Sequence, residues 1–342
     1  MSRIASGGQL TMPVFSDWVA AHGRLWYDDK WYRLAWVLWP QAFGILLMLW
    51  LWAMPSKPSE LRWAKPIDPA ARAAELLRLR DAARSSQPAM DTLARDATGG
   101  EMLAQFFVAT LYDPASKLST IVQPDIGKAV DWYSRAAGQG DEPSLNALAL
   151  TYASGINTRQ DYTRACYYAR KLGDDAPAAG LVIKGDCYAF GRGGIQANMA
   201  LAANIYEAAF NKGDAHAEAI LGYLYENGLG GRNKNPETAL RYYRDAAEKG
   251  DPLGLYNLGY AYNSGLLGLQ RDGAEAARLI VRALEAKFQV TVQSLTTRSG
   301  LWSSDFWQNL QGLLAEKGLY NGVIDGRANS ATLEAVKRLG RS

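Results

Sequence analysis

The feature that most constrains this chain is a repeat. Five stretches align as "VATLYDPA", "LALTYASG", "IKGDCYAFG", "LGYLYENG" and "LGYAYNSG", with Tyr112, Tyr152, Tyr188, Tyr225 and Tyr262 in one column. These tyrosines are 40, 36, 37 and 37 residues apart. A second series keeps step with the first: "AVDWYSRAAGQGD", "RACYYARKLGDD", "AANIYEAAFNKGD", "ALRYYRDAAEKGD" and "AARLIVRALEAKF". It aligns Tyr133, Tyr168, Tyr206, Tyr243 and Ile280 at spacings of 35, 38, 37 and 37. Two series holding one period over five units predict tandem supersecondary units stacked along an axis.

Each unit reads as helix, turn, helix. Ala149, Gly185, Gly222 and Gly259 recur three residues before the first-series tyrosine. Glycine costs about 1 kcal/mol inside a helix, so its recurrence implies close approach of two helix backbones. The tyrosines then fill the space beside that approach. Alanines such as Ala136, Ala137, Ala208, Ala209, Ala246 and Ala247 do the same on the second helix. Gly140, Gly213 and Gly250, each followed by Asp, are expected to end helices in the left-handed conformation. The glycines around Gly191, Gly228 and Gly265 follow helices. A phosphate loop would follow a strand and open a helix, so these are turn residues.

The pattern is clearest in "AEAILGYLYENGLGG" and "TALRYYRDAAEKGD". It resembles the SEL-one-like repeat, a relative of the tetratricopeptide repeat, over roughly residues 98–288. The resemblance implies an all-α fold: a right-handed α-solenoid of about five helix-turn-helix repeats, with a concave face. It also implies a scaffold or adaptor whose partner is another protein. Partner-contact residues are not part of the motif. Tyr167 and Tyr242, the outer members of adjacent tyrosine pairs, are the candidate solenoid surface contacts. The evenly spaced inner tyrosines are expected in the core. The first and last units depart most from the pattern, as capping repeats do.

The first sixty residues differ from the rest. Eight of the eleven tryptophans lie at or before Trp63. "LAWVLWPQAFGILLMLWLWAM", Leu34 to Met54, carries no charged residue. As a helix it would reach about 32 Å, enough to cross a hydrocarbon layer of roughly 30 Å. Trp and Tyr at both ends fit an interfacial belt. The sequence thus predicts a single transmembrane helix at 34–54 in contact with the lipid bilayer. Residues 1–33 form an N-terminal segment with interfacial character, and 55–97 a proline-rich linker with entry helices beginning near Asp68-Pro69. Flanking basic residues do not decide the orientation.

The period stops after Phe288, and "QVTVQSLTTRSGLWSSD" shows no helical stripe, so 289–305 reads as a linker or irregular entry. The rest of 289–342 resembles the small three-helix peptidoglycan-binding domain. Leu310, Gln311, Leu314, Gly318, Tyr320, Gly322, Asp325, Gly326, Thr332, Ala335 and Val336 fall on that family's pattern. Asn329 stands where the family has glycine, and Leu339-Gly340 where it has an aromatic and a glutamine. The resemblance implies peptidoglycan as a partner, with Tyr320, Asp325, Lys337 and Arg338 as candidate contacts. A degenerate copy would instead cap the solenoid. A wall contact would place residues 1–33 in the cytoplasm and 55–342 in the periplasm of a bacterium, with the helix in the inner membrane.

Catalytic chemistry is not in view. The two histidines, His22 and His216, lack metal-ligand spacing, and there is no HExxH, GxSxG or Walker pattern. No cofactor or catalytic residue is expected, and a net charge of +3 is too mild to imply nucleic acid. An oxidising periplasm would allow Cys166 and Cys187 to pair. The alignment opposes it: Cys187 shares a buried position with Leu111 and Leu224, whereas Cys166 falls with Asp131, Asn204, Arg241 and Arg278, and side chains aimed apart do not bridge. The expected function is a membrane-anchored periplasmic scaffold. The alternative is a regulatory subunit of an inner-membrane enzyme or export complex, docking through the Trp-rich N-terminal region.

Overall fold

The structure, a computed structural model, describes residues 68–341. The predicted membrane span Leu34–Met54 and the segment 1–33 lie outside the described residues. Two helices, α1 (Pro69–Ala83) and α2 (Gln87–Thr98), lead in. Five hairpins follow: α3 (Met102–Tyr112) with α4 (Ile126–Gly138), α5 (Glu142–Ser154) with α6 (Tyr162–Ala169), α7 (Ala178–Phe190) with α8 (Met199–Asn211), α9 (Ala215–Asn227) with α10 (Pro236–Glu248), and α11 (Pro252–Ser264) with α12 (Gly273–Glu285). Three helices close the chain: α13 (Gln289–Thr297), α14 (Ser304–Glu316) and α15 (Ser330–Leu339). Among the described residues there is no strand, and no helix is long and apolar enough to cross a membrane. Along the hairpins each helix packs on those one or two places away in the chain, which makes an all-helical solenoid.

One clasp builds every hairpin. The backbone amides of Asp125, Asp161, Asn198, Asn235 and Asp272 donate to the carbonyls of Tyr112, Tyr152, Tyr188, Tyr225 and Tyr262 at 2.7–3.0 Å. The same five residues then cap the second helix, each side chain accepting from the amide three residues on. The return to the next unit uses the Gly-Asp pair. At Gly250 φ is 82°, which ends α10, and Asp251 opens α11 by accepting from the Gly254 amide at 2.8 Å. Asp141 and Asp214 cap α5 and α9 in the same way.

The core of a unit is a small residue facing a large one. A Cβ on Gly222 would lie 2.7 Å from Cε1 of Tyr243, and one on Gly185 would lie 2.5 Å from Cε1 of Tyr206. Both rings are buried, and their hydroxyls donate to carboxylates at 2.7 Å, Tyr243 to Glu226 and Tyr206 to Asp186. Tyr133 does the same to Asp113 at 3.1 Å. Burial, reinforced by the adjacent carboxylate, pushes all three phenols above their ordinary pKa, so they remain donors. The acid directly follows the first-helix tyrosine in two units, as Asp113 and Glu226, but precedes it by two residues in the third, as Asp186.

The caps correct the alignment of the second helices. Asp125, Asp161, Asn198, Asn235 and Asp272 are spaced 36, 37, 37 and 37. Eight residues beyond them stand Tyr133, Ala169, Tyr206, Tyr243 and Ile280. The uneven 35 and 38 spacings therefore mark a one-residue slip: Ala169, not Tyr168, holds the core place in the second unit. Cys166 then shares its place with Val130, Ala203, Leu240 and Ala277 instead of with Asn204 and Arg241.

The expectation that the cysteines remain apart is overturned. Cys166 and Cys187 form a disulfide with Cα atoms 5.7 Å apart, and both are fully buried. They cluster with Ala149 and Ala169, with Tyr168, Ile183 and Ile195 packed against the group. The bridge ties α6, with eight residues shorter than the thirteen of every other second helix, to the first helix of the next unit.

The expected irregular entry after Phe288 is also corrected, because residues 289–297 are the helix α13. Thr291, Ser294 and Leu295 are its buried residues, and Tyr256 of α11 donates to Ser294 Oγ at 2.9 Å. From there the chain builds onto the last unit. Trp302 packs against Phe306, Tyr260 and Tyr256, and the buried Asn263 side chain receives the Ser303 amide at 2.9 Å and donates to the Leu301 carbonyl at 3.0 Å. Ile280 and Leu284 of α12 share one core with Leu310, Leu314, Tyr320 and Val336.

Two stability outcomes follow from this packing. Reducing the disulfide, whose cysteines are 21 residues apart, removes about 3 kcal/mol from urea unfolding on chain-entropy grounds; an unchanged midpoint after complete reduction contradicts it. Gly222→Ala gains about 1 kcal/mol of helix propensity but costs more than that by overpacking. It therefore destabilises the wild type and stabilises a Tyr243→Ala background, whereas equal effects in both backgrounds in a double-mutant cycle contradict the pairing.

Candidate functional site

The two predicted solenoid contacts occupy different surroundings. Tyr167 on α6 is 50% exposed. The Lys171 ammonium sits 4.3 Å over its ring and donates to its hydroxyl at 2.9 Å. That bond favours the phenolate and lowers the Tyr167 pKa. Tyr242 on α10 is half-buried between Phe210, at 5.4 Å, and Tyr225, at 5.8 Å, with the Arg241 guanidinium 5.0 Å over its ring. Burial raises its pKa. Counting from the caps explains the contrast: Tyr242 is the equivalent of Tyr168, and Tyr167 the equivalent of Arg241. The two residues belong to units separated by a full hairpin, so they do not make one site.

A denser group of aromatics and cations lies on the second and third units, with Tyr152 buried and Tyr162 and Phe190 exposed. Arg164 lies 5.3 Å over the ring of Tyr152 and donates to its hydroxyl at 3.3 Å. Arg192 lies 4.0 Å over the ring of Tyr162 and 4.7 Å over that of Phe190. In the sequence the loop Gly191–Gly194 reads as turn chemistry alone, which conceals this group. The signal was an arginine inside a glycine turn, between helix ends that each carry an aromatic.

Two polar contacts tie the fourth unit, one within it and one to the cap of the next. Lys249 donates to the buried carboxylate of Glu218 at 2.7 Å. His216 Nδ1 lies 3.0 Å from Oδ2 of Asp251, the buried cap of the following unit. Burial works against a charged imidazole, but the Asp251 hydrogen bond and charge, with Asp186 and Asp214 in reach, outweigh it and hold His216 above its ordinary pKa. Burial pushes the Asp186 carboxyl up, against the pull of its Tyr206 hydrogen bond. Among the described residues no group of His, Cys, Asp or Glu is placed to hold a metal ion.

The C-terminal candidates divide. Gln311 is fully buried at the centre of a network. Its carbonyl accepts from the amides of Asp325 at 3.0 Å and Gly326 at 2.9 Å, and its amide nitrogen lies 3.0 Å from Asp325 Oδ1 and from Thr332 Oγ1. The Gln311 bond holds the Asp325 carboxyl below its ordinary pKa. Tyr320 is buried and donates to the Val323 carbonyl at 2.7 Å. Tyr320 and Asp325 therefore shape the turn. Tyr320 and Arg338 line a shared cleft of about 480 Å3 with Asn321 and Glu334, whereas Asp325 and Lys337 lie outside it.

The His216–Asp251 pair sets a pH dependence. A raised folded pKa gives stability that is complete below the unfolded value near 6.5 and is lost as pH rises through the folded value. The melting-temperature difference between wild type and His216→Asn, which keeps an uncharged donor, is therefore larger at pH 5.5 than at pH 8.5. A constant difference contradicts the charged pair.

The five hairpins coincide with what is known of other proteins. A family model described as Sel1 repeat matches residues 103–141, 143–175, 185–214, 215–251 and 252–287. No curated protein sequence matches the chain. Among solved structures, the chain is similar to a Sel1 repeat protein from Oxalobacter formigenes, with TM-score 0.57 and 23% identity, covering 79% of this chain and 96% of that one. It is also similar to c5321, a protective antigen present in uropathogenic Escherichia coli strains and displaying an SLR fold, with TM-score 0.50 and 21% identity; 80% of this chain is covered, but 61% of that one. These likenesses show the fold. The matched repeats lie on the five hairpins and cover just over half of the chain, and the protein belongs to the Sel1 repeat family.

Proposed function

We propose that this chain is a membrane-anchored scaffold of a bacterial envelope, whose solenoid holds a partner protein in the periplasm. Sel1 repeat proteins are generally scaffolds for protein–protein interaction. The observation that carries the reading here is the continuous row of hairpins, which leaves Tyr167, Phe190 and Tyr223 exposed on a rigid helical support. The uncharged stretch Leu34–Met54 supports the anchor. The buried Cys166–Cys187 bridge supports an oxidising compartment, since cytosolic thiols are kept reduced. A photo-crosslinking residue placed at Tyr167 or Tyr223 in the native host is expected to give a discrete protein adduct at one or both positions. A periplasm-dependent reporter fused after Ser342 is expected to be active. No adduct at either position sinks the scaffold, and a silent reporter sinks the compartment.

The second reading is a regulatory subunit of an inner-membrane enzyme or export complex, docked through the Trp-rich first sixty residues. It is favoured by the shared core of α12 with α14 and α15, which makes the C-terminal helices a cap for the last repeat. Arg338 and the cleft beside Tyr320 are then the remaining candidates for a peptidoglycan contact. Sedimentation of the full chain in detergent with purified sacculi separates the two. Depletion that Arg338→Ala abolishes favours the wall contact, and no depletion favours the cap.

A further inference from the structure

The scaffold reading says that the solenoid holds a protein but not where, and the loop Gly191–Gly194 supplies a place. Arg192 stands between two aromatic side chains, with its guanidinium carbon 4.0 Å from the Tyr162 ring centre and 4.7 Å from that of Phe190. Both rings are on the surface: Phe190 is 62% exposed and Tyr162 is 37% exposed. A guanidinium stacked on rings keeps its edge donors free, since stacking uses its faces. No acid lies within ion-pair distance of Arg192 among the described residues. Asp186 feels its charge, but that carboxylate is engaged by the Tyr206 hydroxyl.

The clamp is held from beneath. Tyr162 opens α6 and Phe190 ends α7, and the disulfide joins those two helices at Cys166 and Cys187. Gly193, with φ 70°, seats the loop on Cys166 so closely that an added Cβ would lie 2.7 Å from the Cys166 Cβ. The bridge therefore fixes both walls of the clamp and its floor. The chain that opens α6 is basic as well: Arg159 and Arg164 stand beside Tyr162 against Asp161, which Arg164 pairs at 3.4 Å. An arginine fork with no acid of its own, on a basic flank and next to an exposed ring, is complementary to a carboxylate beside an apolar side chain.

We infer that Arg192, stacked between Tyr162 and Phe190, is a docking point for an aspartate or glutamate of the partner protein, whose neighbouring apolar residue packs on Phe190. The carboxylate takes the free edge of the guanidinium in a paired, charge-assisted contact. The disulfide positions the clamp. This rests on the scaffold reading and goes beyond it by naming the surface and the chemistry it selects.

The test uses the full chain in detergent and a displayed random-peptide library as the probe. Enriched peptides are expected to carry Asp or Glu next to a large apolar residue. A synthetic copy of the best one should bind Arg192→Gln at least tenfold more weakly than wild type. Arg192→Lys, which keeps the charge but loses the flat fork, should recover only part of that loss, and Phe190→Ser should weaken binding separately. Reduction of the disulfide, with helicity unchanged by circular dichroism, should weaken binding severalfold. Enrichment without acidic residues, binding unaffected by Arg192→Gln, or no enrichment overturns the clamp. The crosslinking experiment decides the scaffold reading on its own, so the two failures are distinguishable.

Discussion

The structure depends on one steric pairing, repeated along the chain: a residue without bulk on the first helix of a unit faces a large side chain on the second. Gly185 faces Tyr206, Gly222 faces Tyr243, and Gly259 faces Ile280. The close approach lets each hairpin shut without a void, and the buried phenol then needs an acceptor, which the first helix supplies as Asp186 or Glu226. The second unit breaks the rule. It has Ala149 on one side and Ala169 on the other, and a disulfide stands in the space. Two alanines bury less surface than a glycine and a tyrosine, and a covalent link to the neighbouring unit compensates.

That exception links stability to the proposed interaction. The bridge lies beneath a stretch where a glycine turn carries an arginine between two exposed rings. A unit that is weak in ordinary packing would be a poor support for a binding surface, because loosely packed units open locally. With the cross-link, Tyr162, Arg192 and Phe190 are held on two tied helices. Binding then loses less freedom on association.

Much of the fold was legible in the sequence, and the failures have a physical cause. The solenoid could be read because two side-chain series kept one period, although only the second lies mainly in the core: Tyr133, Tyr206, Tyr243 and Ile280 are buried, whereas of the first series Tyr152 is buried and Tyr112, Tyr188, Tyr225 and Tyr262 are half-buried at its edge. The disulfide could not, because the second series was aligned on Tyr168, and a one-residue slip turns a helical side chain by about 100°. The caps Asp125, Asp161, Asn198, Asn235 and Asp272 carry the true register, since each must sit where its side chain meets a helix amide. Helix α13 is hidden in the sequence because its buried face is Thr291, Ser294 and Leu295, two of them polar, and the Ser294 hydroxyl finds its partner only in the tertiary contact with Tyr256. In the C-terminal turn, Gln311, Tyr320 and Asp325 were legible as a set, but their place in the fold was not: they bond to one another, and the cleft takes only Tyr320 and Arg338. Surface residues such as Arg192 leave no periodic trace, since nothing in the repeat requires them.

The central claim is that each unit leans only on its neighbours, through paired small and large residues. Amide hydrogen exchange, compared before and after reduction of Cys166–Cys187, tests it most directly. The account predicts faster exchange in α5 to α8 with α10 to α12 unchanged. Equal acceleration in every helix from α3 to α15 would mean one cooperative globule and would contradict it.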